Sequence, residues 1–86
     1  MANKNDLQTW LLDALDRNDG KGTIPQLCKL VWEMHRDELE QSGELFYTWQ
    51  YDIRWAAQEL RNQGILKDTK LLPKGVWALA RSKQLP

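Results

Sequence analysis

Thr48-Trp49-Gln50-Tyr51-Asp52-Ile53-Arg54-Trp55-Ala56-Ala57-Gln58-Glu59-Leu60-Arg61-Asn62-Gln63-Gly64-Ile65-Leu66-Lys67-Asp68 changes its hydrophobic period partway along, and that change decides the fold. Up to Asn62 the apolar residues Ile53, Ala56, Ala57 and Leu60 fall at i, i+3, i+4 and i+7, the stripe of an amphipathic helix. Gly64 stands where a helix ends in a left-handed residue. Beyond it, Ile65-Leu66-Lys67-Asp68 and Val76-Trp77-Ala78-Leu79 read as two short strands. The segment between them, residues 69–75, carries Pro73 and Gly75, as a hairpin tip requires.

Toward the N-terminus, Thr23-Ile24-Pro25-Gln26 opens another helix, with Thr23 as cap, Gln26 closing a capping box and Pro25 in the first turn. Leu27, Leu30, Val31 and Met34 form its stripe and Ser42-Gly43 ends it. The stripe fades after Met34, so residues 36–41 are expected to form an exposed, frayed last turn. Earlier still, Leu7, Trp10, Leu11, Ala14 and Leu15 mark a first helix. Asn5 is its expected cap, with Gln8 three residues on, and Asn18-Asp19-Gly20-Lys21-Gly22 is a turn cluster. The reading is one domain over residues 1–86, with helices at about 5–18, 23–41 and 48–62, a wing at about 65–80 and a frayed tail at 81–86. That order is mainly α with a small β-hairpin: a winged helix-turn-helix of three helices plus a two-stranded wing.

Composition agrees with a small globular domain. Hydrophobic residues are 42% and charged residues 28%, and the five Trp suit a chain of 86 residues that must use every large apolar side chain. No apolar run is long enough to cross a membrane, so no membrane partner is expected. Met1–Asp6 lacks the pattern of an export signal. Cys28 is the only cysteine, which excludes a disulfide scaffold and makes a reducing, cytoplasmic setting the expectation. Net charge is zero but unevenly spread. Residues 1–45 hold five Lys/Arg against nine Asp/Glu, and residues 46–86 hold seven against three, or −4 and +4. The polarity points to an anionic partner for the second half.

The run Tyr51–Leu66 followed by Gly75-Val76-Trp77-Ala78-Leu79-Ala80 resembles the N-terminal winged-helix domain of Mrr-type restriction endonucleases. That family's pattern of basic-Trp-Ala, Leu, Gly-Leu-hydrophobic and Gly-aromatic is met here by Arg54-Trp55-Ala56, Leu60, Gly64-Ile65-Leu66 and Gly75-Val76-Trp77. Residues 1–45 match only in being helical. The resemblance implies double-stranded DNA as the partner, in the recognition part of a restriction-type system. The family's nuclease domain would begin where these residues stop, so the resemblance implies binding without cleavage here, with a nuclease domain or another protein as a further partner.

On a wheel of about 100° per residue with Ile53 and Leu60 inward, the third helix has unlike flanks. Tyr47, Gln50, Arg54, Gln58 and Arg61 fall together with Tyr51 beside them, while Asp52 and Glu59 take the other side. Arg can bind guanine edges or phosphates bidentately, Gln can pair with adenine and Tyr can donate to phosphate. Lys67, Lys70 and Lys74 make the wing tip basic, with Asp68 as its one acid. Trp55 points away from the Ile53 stripe and is expected to lie under the wing, beside Trp77 or Val76. Trp10, Trp32 and Trp49 are expected in the core.

For catalysis the sequence offers little. Cys28 and His35, the one histidine, lie about two turns apart on the second helix, and no Asn or Asp is placed to orient His35. One Cys and one His make no four-ligand zinc site, and Gly20-Lys21-Gly22 is too short for a phosphate loop. The acids Asp37, Glu38, Glu40 and Glu44 read as a solvated helix end. No enzyme activity, no cofactor and no hydrolysis of DNA are expected. A protein–protein interaction module without DNA binding remains the alternative, since the fold serves both uses.

Overall fold

The computed structural model describes residues 2–80; the tail at 81–86 lies outside the described residues. Its elements are α1 (Asp6–Arg17), β1 (Lys21–Thr23), α2 (Ile24–Glu40), α3 (Leu45–Asn62), a short 3-10 turn (Thr69–Leu71) and β2 (Val76–Ala78). The fold is mainly α with a small antiparallel sheet, in winged helix-turn-helix order.

α1 forms as its stripe dictates, with Leu7, Trp10, Leu11, Ala14 and Leu15 all buried. It packs broadly on both α2 and α3, which touch each other less and leave a groove between them. A hydrogen bond of 3.3 Å from Gln63 Nε2 to Gln8 Oε1 ties the end of α3 to α1. The cap of α1 differs from expectation. Asn5 makes no side-chain cap bond and is itself helical in backbone. Asn3 takes the role: its Oδ1 accepts from the Asn5 amide at 2.9 Å, and its own amide donates to Asp6 Oδ2 at 3.0 Å. The acid three residues on closes this box better than Gln8 because a carboxylate also suits the positive end of the helix.

The capping box of α2 forms as read. The Gln26 amide donates to Thr23 Oγ1 at 3.3 Å and the Thr23 amide donates to Gln26 Oε1 at 3.0 Å. Residues 36–41 are not a frayed turn. His35 leaves helical backbone geometry at φ −129°, ψ 24°, and the kink re-phases the last turns of α2, so Leu39 is completely buried. Ser42, also buried, donates from Oγ to the Leu39 carbonyl at 2.6 Å and closes that end. Of the expected α2 stripe, Leu27 and Val31 are buried while Leu30 and Met34 are half-buried.

The sheet departs most from the sequence reading. β2 pairs chiefly with β1, in the register Lys21↔Ala78, Gly22↔Trp77 and Thr23↔Val76. The expected first arm of the wing, residues 65–68, contributes only the bridge Leu66↔Leu79 and two flanking hydrogen bonds, Lys67 to Ala78 and Ala80 to Ile65. β1 arises from the turn cluster because Asp19 and Gly20 both take positive φ, 62° and 87°, and turn the chain back at once. Gly22 is needed for close approach: a Cβ there would sit 2.6 Å from Asn18 Nδ2 and 3.3 Å from the Leu27 side chain. Trp77 and Ala78 are buried by the pairing.

Candidate nucleic-acid interface

α3 begins at Leu45, three residues before the expected start, and this brings Tyr47 into the helix. Tyr47, Tyr51, Arg54, Gln58 and Arg61 then succeed one another at spacings of four, three, four and three, one continuous row along the helix. The inward side of α3 is fixed by Leu45, Trp49, Ile53, Ala56, Ala57 and Leu60, all buried, so the row faces outward by construction. Tyr47 is 84% and Tyr51 78% exposed, and Gln50, Arg54 and Gln58 are exposed as well. Aromatic contacts brace the start of the row. Tyr47 meets Phe46 edge-on at 5.0 Å, Phe46 lies 6.3 Å from Trp32, and Trp32 runs parallel to the buried Trp49.

The far end of the row is more self-contained than its sequence suggests. Arg61 Nη1 donates to Gln58 Oε1 at 2.6 Å, and Gln58 Nε2 donates to Asn62 Oδ1 at 2.9 Å. Gln58 therefore already uses a donor and an acceptor. Arg61 is half-buried, and its Nε has no hydrogen-bond partner among the described residues.

Arg54 is the free cation of the row, forming no ion pair with any described residue. The groove between α2 and α3 is about 520 Å³ in volume and lined in part by Cys28, Lys29, Trp32 and Gln50. Burial pushes the Cys28 thiol above its ordinary range, and the positive charge of Arg54 pulls it partly back. On the opposite flank Asp52 is engaged, accepting from Thr48 Oγ1 at 2.7 Å.

In the wing, Lys67, Lys70 and Lys74 are exposed and likewise lack a described ion pair. Lys67 sits on the arm, lining a cleft with Lys21, and Lys70 and Lys74 flank the tip. Asp68, the acid of the tip, is occupied by its own turn: Oδ1 accepts from the Lys70 amide at 2.9 Å. The described contacts join the α3 residues to one another and the wing residues to one another, with none directly linking the two groups. Leu71, 74% exposed at the tip, is a residue that the sequence reading misses. The adjacent pair Leu71-Leu72 at a turn is the signal for it, since neighbouring side chains there point opposite ways.

Trp55 is half-buried against the core, and the N-terminal segment supplies a described contact on its ring. The Lys4 ammonium lies 4.5 Å from its ring centroid, and no ring contact among the described residues joins it to Trp77. The expected helix pitch holds; the N-terminal segment beside α1 reaches that side of α3 first.

Cys28 and His35 do not share a face. Cys28 lines the α2–α3 groove, whereas His35 turns to α1, its ring stacked on Trp10 at 4.3 Å. A glutamate rather than an Asn or Asp orients it: Glu38 Oε1 is 2.8 Å from Nδ1, while Asp13 Oδ2 lies 3.9 Å from Nε2, beyond hydrogen-bond distance. No helix among the described residues is long and apolar enough to cross a membrane. No family model matches this chain, and no match was found among curated proteins or solved structures.

Proposed function

We propose that this winged helix binds double-stranded DNA through the outer flank of α3 and the wing, as a recognition module without cleavage of its own. One observation carries the reading. Arg54, Lys67, Lys70 and Lys74 are exposed and unpaired with described residues, while Asp52 and Asp68 in the same segments are occupied by Thr48 and by the wing turn. Residues 45–80 hold five Lys/Arg (Arg54, Arg61, Lys67, Lys70 and Lys74) against three acids (Asp52, Glu59 and Asp68), so the net charge of these segments is positive, and phosphate is the ligand that such a charge favours. In this reading Arg54 reads a base edge or a phosphate, Tyr47, Gln50 and Tyr51 flank it, and the lysines hold the backbone. Gln58 and Arg61 join once their mutual hydrogen bond opens. The resemblance to Mrr-type N-terminal domains supports a restriction-type setting, with a nuclease domain or another protein as further partner. The lone half-buried Cys28 suits a reducing, cytoplasmic location.

The test is a duplex titration at low salt, monitored by Trp fluorescence or amide shifts. With four to six phosphate contacts, log K falls against log salt with a slope of about −4 to −5. Affinity for arbitrary duplex is weak, roughly 10⁻⁴ to 10⁻⁶ M near physiological salt. A second reading, a protein-binding module, is favoured by the exposed Tyr47, Tyr51 and Leu71. Shifts confined to α2, or no saturable response to duplex, would assign the chain to it.

A further inference from the structure

Tyr47, Tyr51 and Leu71 are the strongly exposed large apolar side chains among the described residues, and all lie in the segments assigned to DNA. The tyrosines carry a hydroxyl that water satisfies. Leu71 has no polar atom to account for its exposure. Its neighbour Leu72 is half-buried and lines the cleft with Lys21, Lys67 and Val76. One leucine anchors the tip, therefore, and the next is held outward.

The holding is rigid. The Leu71 amide donates to the Asp68 carbonyl at 3.0 Å, the Leu72 amide to Thr69 at 3.2 Å, and the Asp68 side chain caps the turn. Pro73 fixes its own backbone two residues after Leu71. The Ile24 amide donates to the Gly75 carbonyl at 3.0 Å and ties the base of the tip to the start of α2. The backbone that carries Leu71 is thus set before binding. Around it Lys70 and Lys74 have no described ion pair and outnumber Asp68, the one acid of the tip, whose Oδ1 accepts from the Lys70 amide. An apolar point between free cations matches a groove of duplex DNA, where phosphates line both rims and the floor is sugar and base. The minor groove is about 6 Å wide and admits a tip of this kind, where an inserted apolar side chain unstacks a base step.

Resting on the DNA-binding reading above, we propose that Leu71 is an apolar wedge which the wing inserts into the minor groove, opening one base step and bending the duplex. Flexible pyrimidine–purine steps open most easily, so a TA step is the preferred site. The probe is a duplex of about 20 base pairs with a central TA step and a donor–acceptor dye pair at its ends. Binding of the full chain raises energy transfer, corresponding to a bend of about 20° or more. Leu71→Ala abolishes the bend and weakens binding about tenfold, with an unchanged salt slope. Leu71→Phe, which keeps an apolar wedge, keeps the bend. Lys70→Ala makes the salt slope shallower by about one and leaves the bend in place. Thermal melting of each variant matches the parent, because the changed side chains are exposed. Binding without bending, or Leu71→Ala behaving as the parent, overturns the wedge and leaves DNA binding intact. No saturable binding to the probe at low salt overturns both and assigns Leu71 to a protein surface.

Discussion

The C-terminal part of α2 and the outer flank of α3 are both polar helix surfaces, yet they use their charges in opposite ways. On α2, Arg36 pairs with Glu40 at 3.3 Å, and Arg36 also lies 5.6 Å from the Trp32 ring centroid. His35 sits between Glu38 and Asp13 on the face of Trp10. These side chains find their partners within the chain, at the kink beyond which Leu39 turns inward. On α3, Arg54 finds no described carboxylate, and beyond it the wing lysines find none either. Similar composition therefore conceals two arrangements: one surface is tied into the fold, and the other keeps its cations unpaired with described residues, as the proposed binding surface requires.

The sharpest challenge to this contrast is Leu39→Ala. Leu39 is fully buried behind the kink, so its truncation is expected to cost about 2–5 kcal/mol of folding stability in denaturant titration. A loss near zero would mean that the α2 end is peripheral after all. Arg54→Ala tests the other side. It is expected to weaken duplex binding by about 1–3 kcal/mol, unequally across sequences if Arg54 reads a base edge, while leaving the denaturation midpoint in place. Equal losses for all sequences would reduce Arg54 to a phosphate contact.

How far the sequence carries these roles differs along the chain. Leu7 to Leu15 and Ile53 to Leu60 lie inward as their spacing requires, because a long helix imposes its period on many residues at once. The box at Thr23 and Gln26 was legible for a similar reason: its bonds are local. β1 was not, since three residues carry no period and its partner lies more than fifty residues away. Nor was the kink at His35, which answers to Trp10 and Leu39 rather than to any breaker in its own segment. At the candidate site, the row on α3 could be read from a wheel. The engagement of Gln58 by Arg61 could not, because it depends on side-chain geometry, and the Leu71-Leu72 pair signals an exposed leucine without telling which of the two turns outward.

Smaller effects refine the contrast. Lys70→Ala and Lys74→Ala each should weaken all duplexes alike and make the salt slope shallower by about one, as loss of a single phosphate contact requires. A slope that stays the same would move the contact surface off the wing. The smallest effect is at Cys28, between the two surfaces. Burial raises its thiol above the usual range in the folded chain, so the neutral thiol is favoured by folding. That contribution is fully present below the unfolded thiol pKa and is lost as pH rises through the raised folded value. Stability of the parent should therefore fall with pH in the alkaline range by slightly more than that of Cys28→Ala. Parallel curves in denaturant titrations across that range would show that the thiol ionises as freely folded as unfolded.

The pairing of Lys21–Thr23 with Val76–Ala78 also orders events in time. The turns of α1 and α3 close from neighbouring residues on a scale of about a microsecond or less, whereas the sheet must wait for distant parts of the chain to meet. α3 is accordingly expected to be complete before the wing is fastened. With three residues in each strand, the fastening is also the easiest part to undo. Amides of Lys67 and Leu79 should exchange with solvent through openings that leave Ile53 and Ala57 protected. Such a pattern would reveal a three-helix body that outlasts the release of its wing, and a wing that could let go of a surface without the helices unfolding.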